Sequence, residues 1–204
     1  MKNEMKRYDG KNLTIPENAN VQVGDRNVQI GNVTSLNNIL IVPSQTPSQN
    51  NNTLFNGSLN DEHYHLFVLE DALLGRFVIP NELALTESIA APIKKKYSCL
   101  SQEAIDEIKT FPAIFATKNY HYGKTDADHI AHLGIVTDIA IQNNGIRICA
   151  SYFFGISQQK LNECRKSLAI EGTPFFNELN RTHWTIKKIN LIKVLGEEQL
   201  LPFS

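Results

Sequence analysis

Apolar and polar positions alternate most clearly in the second two-thirds of the chain. Leu133, Ile135, Thr137, Ile139 and Ile141 interleave with Gly134, Val136, Asp138 and Ala140. After Asn143-Asn144-Gly145 the alternation resumes through Ile146, Ile148, Ala150 and Tyr152. Successive side chains of a strand point to opposite faces, so this period of two suits extended backbone. Asn-Gly supplies the positive-φ positions that a type I′ turn needs. The pattern predicts a long β-hairpin over 133–153.

Shorter apolar runs frame it. Tyr64–Leu69, Arg76–Ile79 and Phe111–Thr117 read as strands, the last opened by Pro112. Trp184, Ile186, Ile189, Leu191, Ile192, Val194 and Leu195 predict one final strand. A helix is predicted over 82–97, interrupted at Pro92. A second runs from Gln102 to Thr110, with Ser101 as N-cap and Ala104, Ile105 and Ile108 as its apolar stripe. A third runs from Ser157 to Leu168, with Leu161, Cys164 and Leu168 on one face. The order β-β-α-α-β-β-β-α-β implies an α+β fold. The expected form is a curved antiparallel β-sheet or small open barrel, with two to four helices covering one face or end.

The first part of the chain has another character. In residues 1–42, Val21 and Val23 precede Gly24-Asp25-Arg26-Asn27, and Val28 and Ile30 follow it. This alternation predicts a polar N-terminal β-hairpin strip over 21–33. An isolated hairpin is marginal in water, so the strip is expected to order against a partner or a second copy, making homo-oligomerisation through 21–33 an assembly reading. Residues 43–60, rich in Asn, Gln, Ser and Pro, have too little apolar surface to offset their ordering entropy and read as a flexible linker. Residues 61–204 are left as the globular domain.

Composition narrows the class. The chain has 204 residues, 42% of them hydrophobic, and a net charge of -1. One core is affordable, and binding of nucleic acid through bulk charge is excluded, though a local basic patch is not. Lys94-Lys95-Lys96 and Lys187-Lys188 are the basic runs that, converging with Arg147, Arg181 and Tyr152, would follow a nucleic-acid backbone. No apolar run nears the roughly 18 residues of a membrane span, and MKNEMKRYDGKNL lacks the apolar stretch of a secretory signal. Three scattered cysteines, Cys99, Cys149 and Cys164, form neither a disulfide framework nor a CxxC motif, which points to the cytoplasm.

Two segments concentrate chemistry. The first, Tyr120 to His132, holds Tyr120, His121, Tyr122, Lys124, Asp126, Asp128, His129 and His132. Were 126–132 helical, Asp128 and His132 would share a face, and Asp126, Asp128, His129 and His132 would offer ligands to a divalent metal. His63, His65 or His183 would have to complete that set, since no HExxH or paired Cys/His motif is present. The second segment holds Asn180, Arg181, His183 and Trp184, a set suited to planar or anionic groups: Arg181 as a fork and Trp184 as a stacking face. The plainer alternative packs Trp184 in the core and pairs Arg181 with a nearby carboxylate such as Glu178. No P-loop, GxGxxG or GxSxG occurs, so no cofactor is expected.

Two likenesses bear on partners. The element order resembles that of small barrels that bind modified bases or RNA. The run Gly24-Asp25-Arg26-Asn27-Val28-Gln29-Ile30-Gly31 resembles short strips that accompany modules of bacterial conflict and defence proteins. Neither carries over a site residue. The leading expectation is a non-catalytic binding or interaction module for nucleic acid, a small ligand or a protein, with Tyr120, His121, Tyr122, Lys124, Asn180, Arg181, His183 and Trp184 as its ligand-binding residues. The rivals are a metal-dependent hydrolase or nuclease built on Asp126, Asp128, His129 and His132, and an assembly protein built on the strip.

Overall fold

A computed structural model describes residues 59–70, 75–85 and 89–202, together with two short strands, β1 (Val21–Gln22) and β2 (Gln29–Ile30). The chain divides into two units, 1–40 and 41–204. In the first, β1 and β2 pair antiparallel, Val21 opposite Ile30. The remainder of the expected strip, and nearly all of the expected linker, lies outside the described residues.

The second unit is a six-stranded open sheet with helices. In chain order it runs β3 (Tyr64–Leu69), β4 (Arg76–Ile79), α1 (Ala91–Tyr97), α2 (Gln102–Ile108), β5 (Pro112–Thr117), β6 (Ile130–Gln142), β7 (Gly145–Ser157), α3 (Gln158–Glu163), β8 (His183–Lys187) and α4 (Leu191–Glu197). Short 3-10 turns lie at Asn81–Leu83 and Glu178–Asn180. The sheet order is β4-β7-β6-β5-β3-β8. The predicted hairpin is present and longer than its alternation suggested: β6 and β7 pair from Gln142 opposite Gly145 out to Ile130 opposite Ser157, with register shifts at Leu133/Gly134 and Val136/Asp138. Its turn is not the expected type I′ at Asn-Gly: the two residues between the paired ends are Asn143 and Asn144, neither at positive φ, and Gly145, at φ +145°, already belongs to β7.

The sheet is mixed rather than antiparallel throughout. β3 and β5 run parallel, Leu69 opposite Thr117, because α1 and α2 lie between them as a crossover. Nor are the helices confined, as expected, to one face or end. Alternate residues of β3 enter two different cores. Phe67 and Leu69 pack with Tyr97, Ile108, Phe115 and Trp184, whereas Tyr64, Leu66 and Val68 pack with Ile114, Leu161, Leu191 and Leu195. Thus α1 and α2 cover one face, α3 and α4 the other, and every residue of β3 is buried.

Three predicted elements differ. Pro92 stands in the first turn of α1, where its missing N–H costs nothing, so it begins a helix and does not interrupt one. α3 ends at Glu163 and turns carry the chain to Ala169. The final apolar run is split: β8 stops at Lys187, and Asn190 accepts the Lys193 N–H to cap α4. Leu191 and Leu195, four apart and fully buried, form the stripe of that helix.

Candidate functional site

The parallel pair β3/β5 and the start of β8 meet at one end of the sheet, where Val68 lies opposite His183 and Leu69 opposite Thr117. Ligands of open sheets commonly gather beyond the carboxyl ends of such strands. Two segments emerge there: the loop after β5, and residues 172–182 leading into β8. They flank a cavity of about 400 Å³, broadly open to solvent, lined by Lys118, Asn119, Tyr120, His121, Tyr122, Phe176 and Asn180.

Asn180 joins the two walls. Its Oδ1 accepts the Gly123 N–H at 3.0 Å and the Asn177 N–H at 3.1 Å, while its Nδ2 donates to the His121 carbonyl at 2.8 Å. Gly123 has φ +65°, and a Cβ there would fall 1.9 Å from the Pro174 carbonyl oxygen. Glycine is therefore required on two counts, left-handed backbone and contact with the opposite wall. Beneath the cavity a buried amide network continues the tie. Asn119 and Asn162 exchange hydrogen bonds at 2.9 and 3.0 Å. Gln158 donates to Asn119 Oδ1 at 2.9 Å, and Asn177 donates to Asn162 Oδ1 at 2.8 Å.

The rim is aromatic. Tyr120 is 62% exposed, Tyr122 77%, Phe175 78% and Phe176 41%. Tyr122 and Phe176 face each other across the two segments at 6.1 Å between centroids. Tyr120 lies flat on His129, whose Nε2 meets the Thr117 hydroxyl at 2.6 Å and whose Nδ1 meets the Thr125 hydroxyl. Burial pushes the His129 pKa below the usual histidine value, against the raising effect of Asp126 and Asp128. Lys118 pairs with Glu70, which also accepts from Thr182 at 2.8 Å.

Of the residues expected from sequence, Tyr120, His121, Tyr122 and Asn180 line this one cavity. Lys124 is exposed beside it and accepts the His121 N–H with its carbonyl. Arg181 lies over the Phe176 ring at 5.8 Å. His183 and Trp184 do not line it: both are buried in β8, and Trp184 Nε1 donates to His65 Nδ1 at 3.1 Å. Trp184 thus fills the core and offers no stacking face to a ligand. Glu178 pairs with buried Lys187 at 2.8 Å rather than with Arg181, because it too is fully buried.

The proposed metal ligands are dispersed. Residues 126–128 are loop and turn, and β6 begins at Ile130, so the helical spacing of Asp128 and His132 does not exist. Asp126 and Asp128 are exposed, His129 turns inward to its threonines, and His132 lies 5.5 Å from Tyr152. Among the described residues no three His, Cys, Asp or Glu side chains come together as a metal-holding group. The basic residues expected to converge are largely engaged elsewhere: Lys96 with Glu107, Arg147 with Asp138 and Lys187 with Glu178.

Sequence reasoning passed over Lys118, Asn119 and Phe176 as lining residues. The signal for Phe176 was Phe175-Phe176 directly after Gly172-Thr173-Pro174, two aromatics in a stretch too turn-rich for a strand. Asn119 carried none, since its role depends on Asn162 and Gln158 far along the chain. No helix among the described residues is long and apolar enough to cross a membrane. No known family, curated protein or solved structure matches the chain.

Proposed function

We propose that the protein is a non-catalytic recognition module that binds its ligand in the cavity between the loop after β5 and the segment before β8. The observation that carries this reading is the Asn180 tie, which holds His121 and Gly123 against the opposite wall and so shapes the cavity before any ligand arrives. A pre-formed site does not lose affinity to loop ordering on binding. Its volume of about 400 Å³ lies within the range of small-molecule sites. Aromatic rings, one of them backed by His129, around amide groups and the Lys118 ammonium are suited to recognition.

The test is site mapping by NMR on the full chain with a panel of small planar aromatic compounds. Shifts should concentrate in the backbone amides of 118–124 and 176–180. Shifts confined to other parts of the fold, or none with any compound, would remove this reading.

A further inference from the structure

Resting on that reading, we infer that the cavity takes a nucleobase, stacked on the outer face of Tyr120. The inner face of this ring is already occupied: it lies 4.2 Å from the His129 ring, the planes 6° from parallel. His129 is in turn fixed by hydroxyls on both nitrogens, one of them from Thr117 in β5. The backed ring cannot swing inward, so its other face stays presented to solvent as a platform. Such aromatic platforms are how single-stranded nucleic acids and flipped bases are held, because every base presents a π-face.

The remaining lining fits the other parts of a nucleotide. Tyr122 and Phe176, their ring centroids 6.1 Å apart, add further aromatic surface to the cavity. Asn180 Nδ2 uses one hydrogen on the His121 carbonyl and carries a second, a donor for a base-edge acceptor. Lys118 in the lining and exposed Lys124 in the same loop supply ammonium groups for a phosphate. Lys118 is shared with Glu70, so stacking outweighs phosphate pairing here, and binding is expected to depend only mildly on salt.

The test uses the full chain with two kinds of probe, mononucleotides and short oligouridylate or oligoadenylate, read by NMR shifts at Gly123 and Asn180 and by anisotropy of a labelled oligomer. Either probe should shift these resonances. A response to mononucleotides alone identifies a free nucleotide as the source of the base, and a preference for oligomers identifies a single strand. Tyr120→Ala should weaken binding about tenfold or more, and Tyr120→Phe should leave it nearly unchanged. Tyr122→Ala, at a more exposed ring, gives an independent loss should Tyr120→Ala unfold. Binding that ignores Tyr120→Ala in a folded protein, or no nucleotide response at millimolar concentration, overturns the inference. p-Cresol and 3-methylindole, which mimic side chains of a protein partner, separate the two levels. If they shift the cavity resonances while nucleotides do not, the nucleobase assignment falls and the recognition site stands. If neither kind of probe does, both fall.

Discussion

The Tyr120 ring rests on the His129 imidazole at 4.2 Å, and both nitrogens of that imidazole are held by threonine hydroxyls. A surface tyrosine is in this way anchored to the end of β5. His129→Ala should lower stability by about 1–3 kcal/mol through the lost ring contact and the stranded hydroxyls. It should also weaken cavity binding, although His129 is not in the lining. Denaturant midpoints check the first effect and NMR titration the second. Unchanged binding in a destabilised His129→Ala would show that the backing of Tyr120 is irrelevant to the site.

Asn180 is expected to matter through its amide alone. Asn180→Ala leaves the Gly123 N–H and the His121 carbonyl without their partner and should cost about 1–3 kcal/mol. Cleavage within 118–124 should appear in limited proteolysis of this variant before the rest of the chain is cut. Resistance equal to that of the native protein would mean that something else holds the loop.

Gly123→Ala combines positive φ with a steric conflict of 1.9 Å against the Pro174 carbonyl. The backbone conformation alone costs about 1–2 kcal/mol, and the overlap must push one wall from the other. A loss of at least about 2 kcal/mol is expected, together with altered amide shifts at Thr173–Asn177. A variant of native stability would place the two walls further apart than described.

Acid should destabilise the fold in a defined window. His65 is fully buried, and burial lowers its pKa to about 4 from 6.5, outweighing the raising effect of the Ile108 carbonyl. His63, His129 and His132 are shifted downward too, desolvation being the largest cause for each. Since the folded pKa lies below the unfolded one, the unfolded chain binds more protons in the interval between them. Stability is full above 6.5 and falls as pH drops toward 4, by roughly 3 kcal/mol for His65. Urea midpoints across that interval measure the slope, and His65→Gln should flatten it. A midpoint constant over the interval would contradict the neutral, buried His65.

The Glu178–Lys187 pair gives the largest expected single-site effect. Burial acts to raise the Glu178 pKa, but His183, Lys187 and the Glu171 N–H prevail and hold it below the usual carboxylate value. Glu178→Ala would take the carboxylate away from the buried Lys187 ammonium, and breaking such a buried pair costs about 3–5 kcal/mol. Replacing both, Glu178→Met with Lys187→Met, should restore much of that loss. Thermal unfolding of the two variants decides it. Equal destabilisation in the single and double variants would show that the charges are not coupled.

Half of the candidate site was legible from residue type. Tyr120, His121, Tyr122 and Asn180 announce themselves as polar-aromatic residues outside any apolar period, and they do line one cavity. His183 and Trp184 misled because the polar stretch before them continues into β8, whose five residues are all buried between β3 and the covering layers. A strand buried on both faces has no alternation to read. The same double burial made the last apolar run look like one strand, when Asn190 divides it into β8 and α4.

The chain's own pattern determined what depends on near neighbours. The period of two through Leu133–Ile141, the turn-forming run Asn143-Asn144-Gly145 and the cap at Ser101 are local signals, and the hairpin and α2 follow from them, although the turn falls one residue earlier than Asn-Gly implied. Tertiary structure decided what depends on distant pairing: the parallel β3/β5 register, the helices on both faces, and the meeting of His121 and Gly123 with Asn180. Local patterning sets which face of an element is apolar, but not which other element that face meets. The cavity exists because residues some sixty positions apart exchange hydrogen bonds, which no periodicity in the chain records.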